Sequence, residues 1–284
     1  CNGIDFLCGM RFLLPFVLLF TGCATAQQGS GGKAIPYDLR KPAQVFELPE
    51  NLTEISALTD VDTMTIACVH DESAAIYFLS TSTGRILDSA VFAGPADMEG
   101  LTRVGGEFFA LRSDGLVFRV GDRASRFALR DTFRIALPNK NIEGLGFDER
   151  SGMVLISPKD FVKGSKEGKD ERMIHAIDPQ AVSMSPRVVL RLSLSKLEHE
   201  AMAKGIVIPR EKKGKSKEKS TLKLRYSSVA VHPLSGNYYL LSAVDRTLLV
   251  VDRGGRLVDL VLLDSKLLPK AEGITFTSNG DLWL

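Results

Sequence analysis

A phrase of five residues keeps returning along this chain. Asp97-Met98-Glu99-Gly100-Leu101 recurs as Asn141-Ile142-Glu143-Gly144-Leu145 and as Lys270-Ala271-Glu272-Gly273-Ile274. Two further copies carry serine in place of the glutamate: Ile55-Ser56-Ala57-Leu58 and Tyr226-Ser227-Ser228-Val229. The aligned positions are 56, 99, 143, 227 and 272, at steps of 43, 44, 84 and 45 residues. A period in this range, filled with strand-like segments, predicts an all-β β-propeller. The same periodicity locates a site. Equivalent residues of every blade converge on one axis, so glutamates remote in sequence become neighbours.

Within each period, short runs rich in Val, Ile, Leu, Phe and Tyr alternate with turn signals. Blade two reads Gly100–Val104, Glu107–Leu111, the turn Ser113-Asp114-Gly115, Leu116–Val120 and a strand near Thr132–Leu137. Blade three reads Leu145–Asp148, a turn at Ser151-Gly152, Met153–Ser157, Met173–Ile177 and Arg187–Leu192. Blade four reads Val229–Val231, a turn at Ser235-Gly236-Asn237, Tyr238–Ser242, Thr247–Asp252 and Leu257–Leu263. Helical periodicity is confined to Ser195–Lys204.

The 84-residue step is read as one blade plus an exposed insertion at about 195–225. Its tract Arg210–Lys219 contains no apolar residue and cannot build a strand core. The count is then five blades, or six if the insertion hides a degenerate one. The last blade is cut: Asn279-Gly280 turns into Asp281-Leu282-Trp283-Leu284, a second strand, and the sequence stops. The lone strand Ala43–Leu48 is expected to complete that blade, pairing with strands that follow Leu284.

Ahead of the propeller, Met10-Arg11 and the apolar run Phe12–Phe20 read as a secretory leader. As a helix the run would span about 14 Å, against a hydrocarbon core of about 30 Å. Phe20-Thr21-Gly22-Cys23 resembles a bacterial lipobox, with Phe20 in place of the usual leucine. Cys23 is the expected lipidation site, and residues 1–22 are upstream residues and leader. Residues 23–42, with Gly29-Ser30-Gly31-Gly32, form a flexible tether. The propeller occupies 43–284. Ala24 after the cysteine favours the outer membrane, so the expected location is the cell envelope, lipid-anchored, facing the periplasm or the outside. Of four cysteines only Cys68 falls in the folded part, so no intramolecular disulfide is expected there. A formal net charge of +2 argues against nucleic acid as a partner.

One family carries these phrases in this order. The Glu-Gly-[Leu/Ile] copies come with Val229-Ala230-Val231-His232-Pro233, Ser235-Gly236 and Asp252-Arg253-Gly254-Gly255. Ala271-Glu272-Gly273-Ile274-Thr275-Phe276 and Asn279-Gly280-Asp281-Leu282 complete the set. Over residues 44–284 the chain resembles the SdiA-regulated (YjiK-like) propeller proteins. NHL-repeat and gluconolactonase-like propellers share individual strands of this kind, and the ordered set is what is specific. The resemblance implies a calcium-compatible propeller at the envelope, and it implies no reaction.

The channel chemistry follows from the repeat. Asp97, Glu99, Glu143 and Glu272 are the candidate metal ligands, with Ser56 and Ser227 at the matching places. An all-oxygen set suits Ca²⁺ or Mg²⁺, and Ca²⁺ is the one cofactor expected. Three carboxylates near one axis repel, so a cation, an arginine or a raised pKa must compensate. The alternative is structural: each glutamate accepts backbone N–H groups of the next blade. His70, His175, His199 and His232 show no ligand spacing, and His70-Asp71-Glu72 reads as loop residues or half of an acid–base pair. Two function classes stay open. One is a binding or scaffold propeller, joined to the membrane by its lipid and taking an unidentified small molecule or protein. The other is a metal-dependent hydrolase of the gluconolactonase or phytase kind. The second needs a base beside the metal, and no Asp/His pair recurs to supply it.

Overall fold

The structure, a computed structural model, describes residues 16–20 (backbone only), 34–139, 141–162, 169–181, 185–211 and 219–284. Cys23 and most of the basic tract lie outside the described residues. Two strands precede the first repeat, β1 (Phe16–Phe20) and β2 (Gln44–Glu47). The first sheet is β3 (Ile55–Asp60), β4 (Thr65–His70), β5 (Ser73–Ser80) and β6 (Ile86–Val91). The second is β7 (Met98–Val104), β8 (Glu107–Arg112), β9 (Leu116–Val120) and β10 (Leu129–Arg134). The third is β11 (Ile142–Asp148), β12 (Met153–Pro158), β13 (Glu171–Ile177) and β14 (Arg187–Ser193). Helix α1 (Leu194–Ala203) and the hairpin β15 (Arg210–Glu211) and β16 (Lys219–Ser220) come next. The fourth sheet is β17 (Ser228–Val231), β18 (Tyr238–Ser242), β19 (Thr247–Val251) and β20 (Leu257–Leu262). The chain ends with β21 (Thr275–Phe276) and β22 (Leu282–Trp283).

Each of these sheets is an antiparallel meander in chain order. The turns at Ser151-Gly152 and Ser235-Gly236 form with φ of +68° and +75° at the glycines, a region glycine enters without steric cost. The first strands of the sheets touch in a closed cycle: β3 on β7, β7 on β11, β11 on β17, β17 on β21, and β21 back on β3. That closed ring of first strands is a β-propeller.

Burial follows from the ring. β11 and β12 are buried almost throughout, whereas the outer strands β6 and β10 are largely exposed. The apolar core lies between sheets, not on the axis. Consecutive residues of one strand therefore serve different cores. Phe108 packs with Val69 and Ile76 towards the first sheet, and Phe109 with Leu145 and Ile156 towards the third. Leu240 and Leu241 divide likewise between the third-sheet side and the last-sheet side. Each such buried side chain contributes about 1.5–3 kcal/mol of transfer free energy. Cys68, on β4, is fully buried and unpaired in the core between the first and last sheets, with Leu58 and Trp283. The axis is left to polar groups.

The last sheet has the order β2-β1-β22-β21 and draws on both ends of the chain. Leu19 pairs with Trp283, and Val17 pairs with Phe46. Strand β2 does join this sheet, as the lone-strand reading expects. Its partner differs from the expectation: β1 stands where a strand following Leu284 was foreseen. The physical reason is that an uncharged apolar run saturates the facing edges of β2 and β22, which would otherwise expose unpaired N–H and C=O groups. An apolar run of this length fits the pattern of a leader and that of a sheet strand equally. Among the described residues no helix is long and apolar enough to cross a membrane.

Candidate functional site

The repeat phrase is a β-bulge. Pairing slips between Ile55 and Ala57, between Met98 and Gly100, and between Ile142 and Gly144. The residues skipped are Ser56, Glu99 and Glu143, the aligned positions of the repeat. A bulge inserts one unpaired residue and re-aims its side chain. The glycine that follows has its own cause. A Cβ on Gly100 would lie 2.8 Å from Glu143 O, and one on Gly144 would lie 2.9 Å from Ser228 Cα. On Gly273 it would lie 2.9 Å from Leu58 N. Neighbouring first strands approach too closely there for any side chain.

The glutamates do come together. Burial, then the charges of Glu143, Asp97 and Glu272, hold the Glu99 carboxyl up at about 8, against the pull of Lys159. Glu143 is 4% exposed and forms an ion pair with Lys159, which follows β12 directly. Burial still raises its pKa, with Glu272 and Asp160 adding to the rise and Lys159 opposing it. Glu272 pairs with Lys270 at 3.1 Å. The compensating charge at Glu143 is thus an ammonium, a residue the repeat does not announce. Among the described residues no three His, Cys, Asp or Glu side chains are gathered closely enough to hold a metal ion. In this arrangement the set Asp97, Glu99, Glu143 and Glu272 does not fit a Ca²⁺ ion, so no chemical step is derived through one.

Threonines make the blade-to-blade hydrogen bonds that the structural reading assigned to glutamates. Thr59 Oγ1 accepts the Arg103 N–H at 3.2 Å, and Thr275 Oγ1 accepts the Asp60 N–H at 3.1 Å. Both threonines sit three residues after the repeat position. That is where a sequence signal existed, because Thr102 occupies the same place in the second sheet.

Beyond the threonines the channel widens into a cavity of about 220 Å³, to which all of the first strands β3, β7, β11, β17 and β21 contribute. Its ionisable wall includes Asp60, Arg103, Asp148, Glu149 and Arg150. Burial raises the Asp60 pKa; its own backbone N–H and Arg103 oppose the rise, and Glu149 adds to it. The Asp60 carboxylate accepts one long bond, from Thr275 Oγ1 at 3.4 Å. Arg103 donates from Nη1 to Val61 O at 2.9 Å.

Other polar groups at this end are fully engaged. Asp148 is buried and takes a bidentate contact from Arg253 at 2.5 and 2.7 Å, with Ser151 Oγ donating at 2.6 Å. Burial works to raise its pKa, and these bonds outweigh it, so the carboxyl stays below its usual range. Arg253 also stacks on Tyr238. His232 Nδ1 accepts the Ser235 N–H at 3.0 Å, so Nε2 carries the proton and donates to Tyr37 Oη at 2.7 Å. Tyr37 donates onward to Gly280 O at 2.6 Å. These residues pin sheets and the segment before β2 together, and none is available to a ligand. His70 Nδ1 accepts the Glu72 N–H at 3.2 Å. Asp71 beside it titrates near 6, raised by burial and then by a hydrogen bond and charge from Glu54, with His70 opposing.

The family model described as SdiA-regulated matches residues 40–284. No curated protein matches the chain. Among solved structures the chain is similar to a glutaminyl cyclase from Myxococcus xanthus, at 16% identity and a TM-score of 0.43, covering 70% of this chain and 72% of that one. It is also similar to the β-propeller domain of Cps50 (Swd1) from Myceliophteria thermophila, at 10% identity and a TM-score of 0.44, covering 85% of each chain.

Proposed function

This chain belongs to the SdiA-regulated family, and we propose that it is a five-bladed binding propeller displayed at the cell envelope, with its ligand site in the channel cavity. The observation that carries the reading is that cavity. Every first strand lends it residues, and its charges outside any ion pair among the described residues are Asp60, Arg103, Glu149 and Arg150. Ligand sites are concave and carry a few placed polar groups on a largely apolar wall. The count of five rests on the cycle of first strands. Lipidation at Cys23 would anchor the domain through the tether, shortened at its far end because Ile35, Tyr37 and Leu39 are buried in the core and so not part of a flexible segment, with the outer membrane as the expected site. It would also remove residues 1–22, and with them β1, leaving the slot between β22 and β2 to another strand. A metal-dependent hydrolase would need carboxylates drawn to one point, and Lys159 already neutralises Glu143. Binding is therefore favoured over hydrolysis.

The test is a thermal-shift screen of small polar metabolites on the protein and on Ser278→Trp. Ser278 is an exposed residue on the cavity rim. Ligands that stabilise the parent and not the plugged variant support the channel site. Ligands that stabilise both equally place binding elsewhere. Mass spectrometry of the membrane fraction checks the anchor, by diacylglycerol on Cys23.

A further inference from the structure

We infer that the channel cavity takes a small amphoteric molecule, one that carries an amine and a carboxylate. The inference rests on the channel reading above and names its ligand class. Asp60 and Arg103 close adjacent first strands, β3 and β7, and line the same cavity. Opposite charges so placed would ordinarily pair with each other. Here, among the described residues, neither enters an ion pair of 4 Å or less. Arg103 turns one nitrogen to Val61 O, which leaves the rest of its fork unspent. Besides its own backbone N–H and the charge it feels from Arg103, Asp60 accepts the long bond from Thr275.

What holds the two apart is the threonine stitching. Thr275 fixes the Asp60 backbone and Thr59 fixes the Arg103 backbone. Each charge is thus positioned by a neighbouring blade and not by its opposite. Glu149, exposed on the same wall, adds a second negative charge on the Asp60 side. The remaining carboxylate of the wall, Asp148, is consumed by Arg253. His232 is consumed by Tyr37 and Ser235. Arg150, exposed on the rim, donates one nitrogen to Leu234 O at 3.0 Å. The chemistry left over is two guanidinium forks, with Arg103 the one set beside Asp60, and two carboxylates. A guanidinium binds a carboxylate in two parallel bonds. Asp60 and Glu149 accept from an ammonium. A cavity of about 220 Å³ admits a molecule of amino-acid to dipeptide size.

A ladder of ω-amino acids from glycine to 6-aminohexanoate tests this, because chain length reads the separation of the two charges. Isothermal titration of the intact protein should show one length bound at least tenfold tighter than the alkylamine and the alkylcarboxylate of equal length. Arg103→Met should abolish the advantage over the amine, and Asp60→Asn the advantage over the carboxylate. Circular dichroism would confirm that each variant is folded. Should a variant unfold, the ladder on the parent protein decides alone. Zwitterions that bind no better than their single-charge counterparts overturn the inference. If neutral metabolites bind instead, and Ser278→Trp blocks them, the channel site stands and only the ligand class fails. If Ser278→Trp leaves ladder binding intact, the channel site fails as well.

Discussion

Replacing Glu99 by glutamine should stabilise the protein, by an amount that grows as pH rises from about 4.5 to about 8. The Glu99 carboxyl is held at about 8 against an ordinary value near 4.5, by burial and by Glu143, Asp97 and Glu272. At ~1.36 kcal/mol per pH unit this rise corresponds to a ceiling of about 4.8 kcal/mol. Glu99 is only half-buried, so solvent screening reduces the figure to roughly 2 kcal/mol. The sign follows from proton counts. Between about 4.5 and 8 the folded protein holds a proton at Glu99 that the unfolded chain has lost. Stability therefore falls as pH rises through that window and levels off above 8. Glutamine mimics the protonated acid and has nothing to lose. At pH 5 the two proteins should unfold within about 0.5 kcal/mol of each other. At pH 8.5 the variant should be more stable by roughly 2 kcal/mol, a rise in Tm of ~4–8 °C. Urea unfolding at both pH values reads this as a shift in midpoint with an unchanged slope. A variant no more stable than the parent at pH 8.5, or one that gains over the parent equally at both pH values, would refute the account of the ring.

Lys159→Met should cost about 3–5 kcal/mol, because it leaves Glu143 buried and charged without a partner. Adding Glu143→Gln should recover most of it in a double-mutant cycle. Arg253→Lys should lower stability by at least about 2 kcal/mol, since lysine supplies neither the bidentate contact to Asp148 nor the stack on Tyr238; calorimetry would show it. Gly144→Ala should lower the urea midpoint sharply, because its Cβ would sit 2.0 Å from Ser157 Oγ and 2.9 Å from Ser228 Cα. Millimolar Ca²⁺ should leave the Tm unchanged, because Glu143 already has its cation in Lys159; a rise would reinstate the metal reading.

The repeat phrase made the ring legible because each part answers a local constraint. The glutamate sits where the bulge throws a side chain out of register, and the glycine where the next first strand leaves no room. The bulge recurs in the first three sheets and the glycine at Gly100, Gly144 and Gly273, with Ala57 and Ser228 in its place elsewhere, so both recur in sequence. Lys159 was hidden for the opposite reason. It serves one blade, from the end of a second strand, and has no counterpart to reveal it. Asp60 and Arg103 were hidden too, although they occupy the same aligned place, four residues past the repeat. Their charges differ in sign, and the other sheets put Phe147, Val231 and Phe276 there. Ring geometry repeats down a sequence, whereas ligand chemistry breaks the repeat. The strand Phe16–Phe20 was ambiguous for another reason: an apolar run looks alike as a leader and as a sheet strand.

The two levels of the channel divide their work along one short strand. Glu99 and Arg103 are four residues apart on β7, about 13 Å in extended chain. At the Glu99 level, charges are crowded and settled internally, by Lys159, by Lys270 and by a retained proton. At the Arg103 level they are sparse, fixed by threonines and unsettled. An internally neutralised ring gains little from a ligand, because any cation entering it must displace a lysine. An arginine and an aspartate kept apart gain from any molecule that bridges them. The site to search for a partner is therefore the level where the repeat fails, not the one where it is most conspicuous.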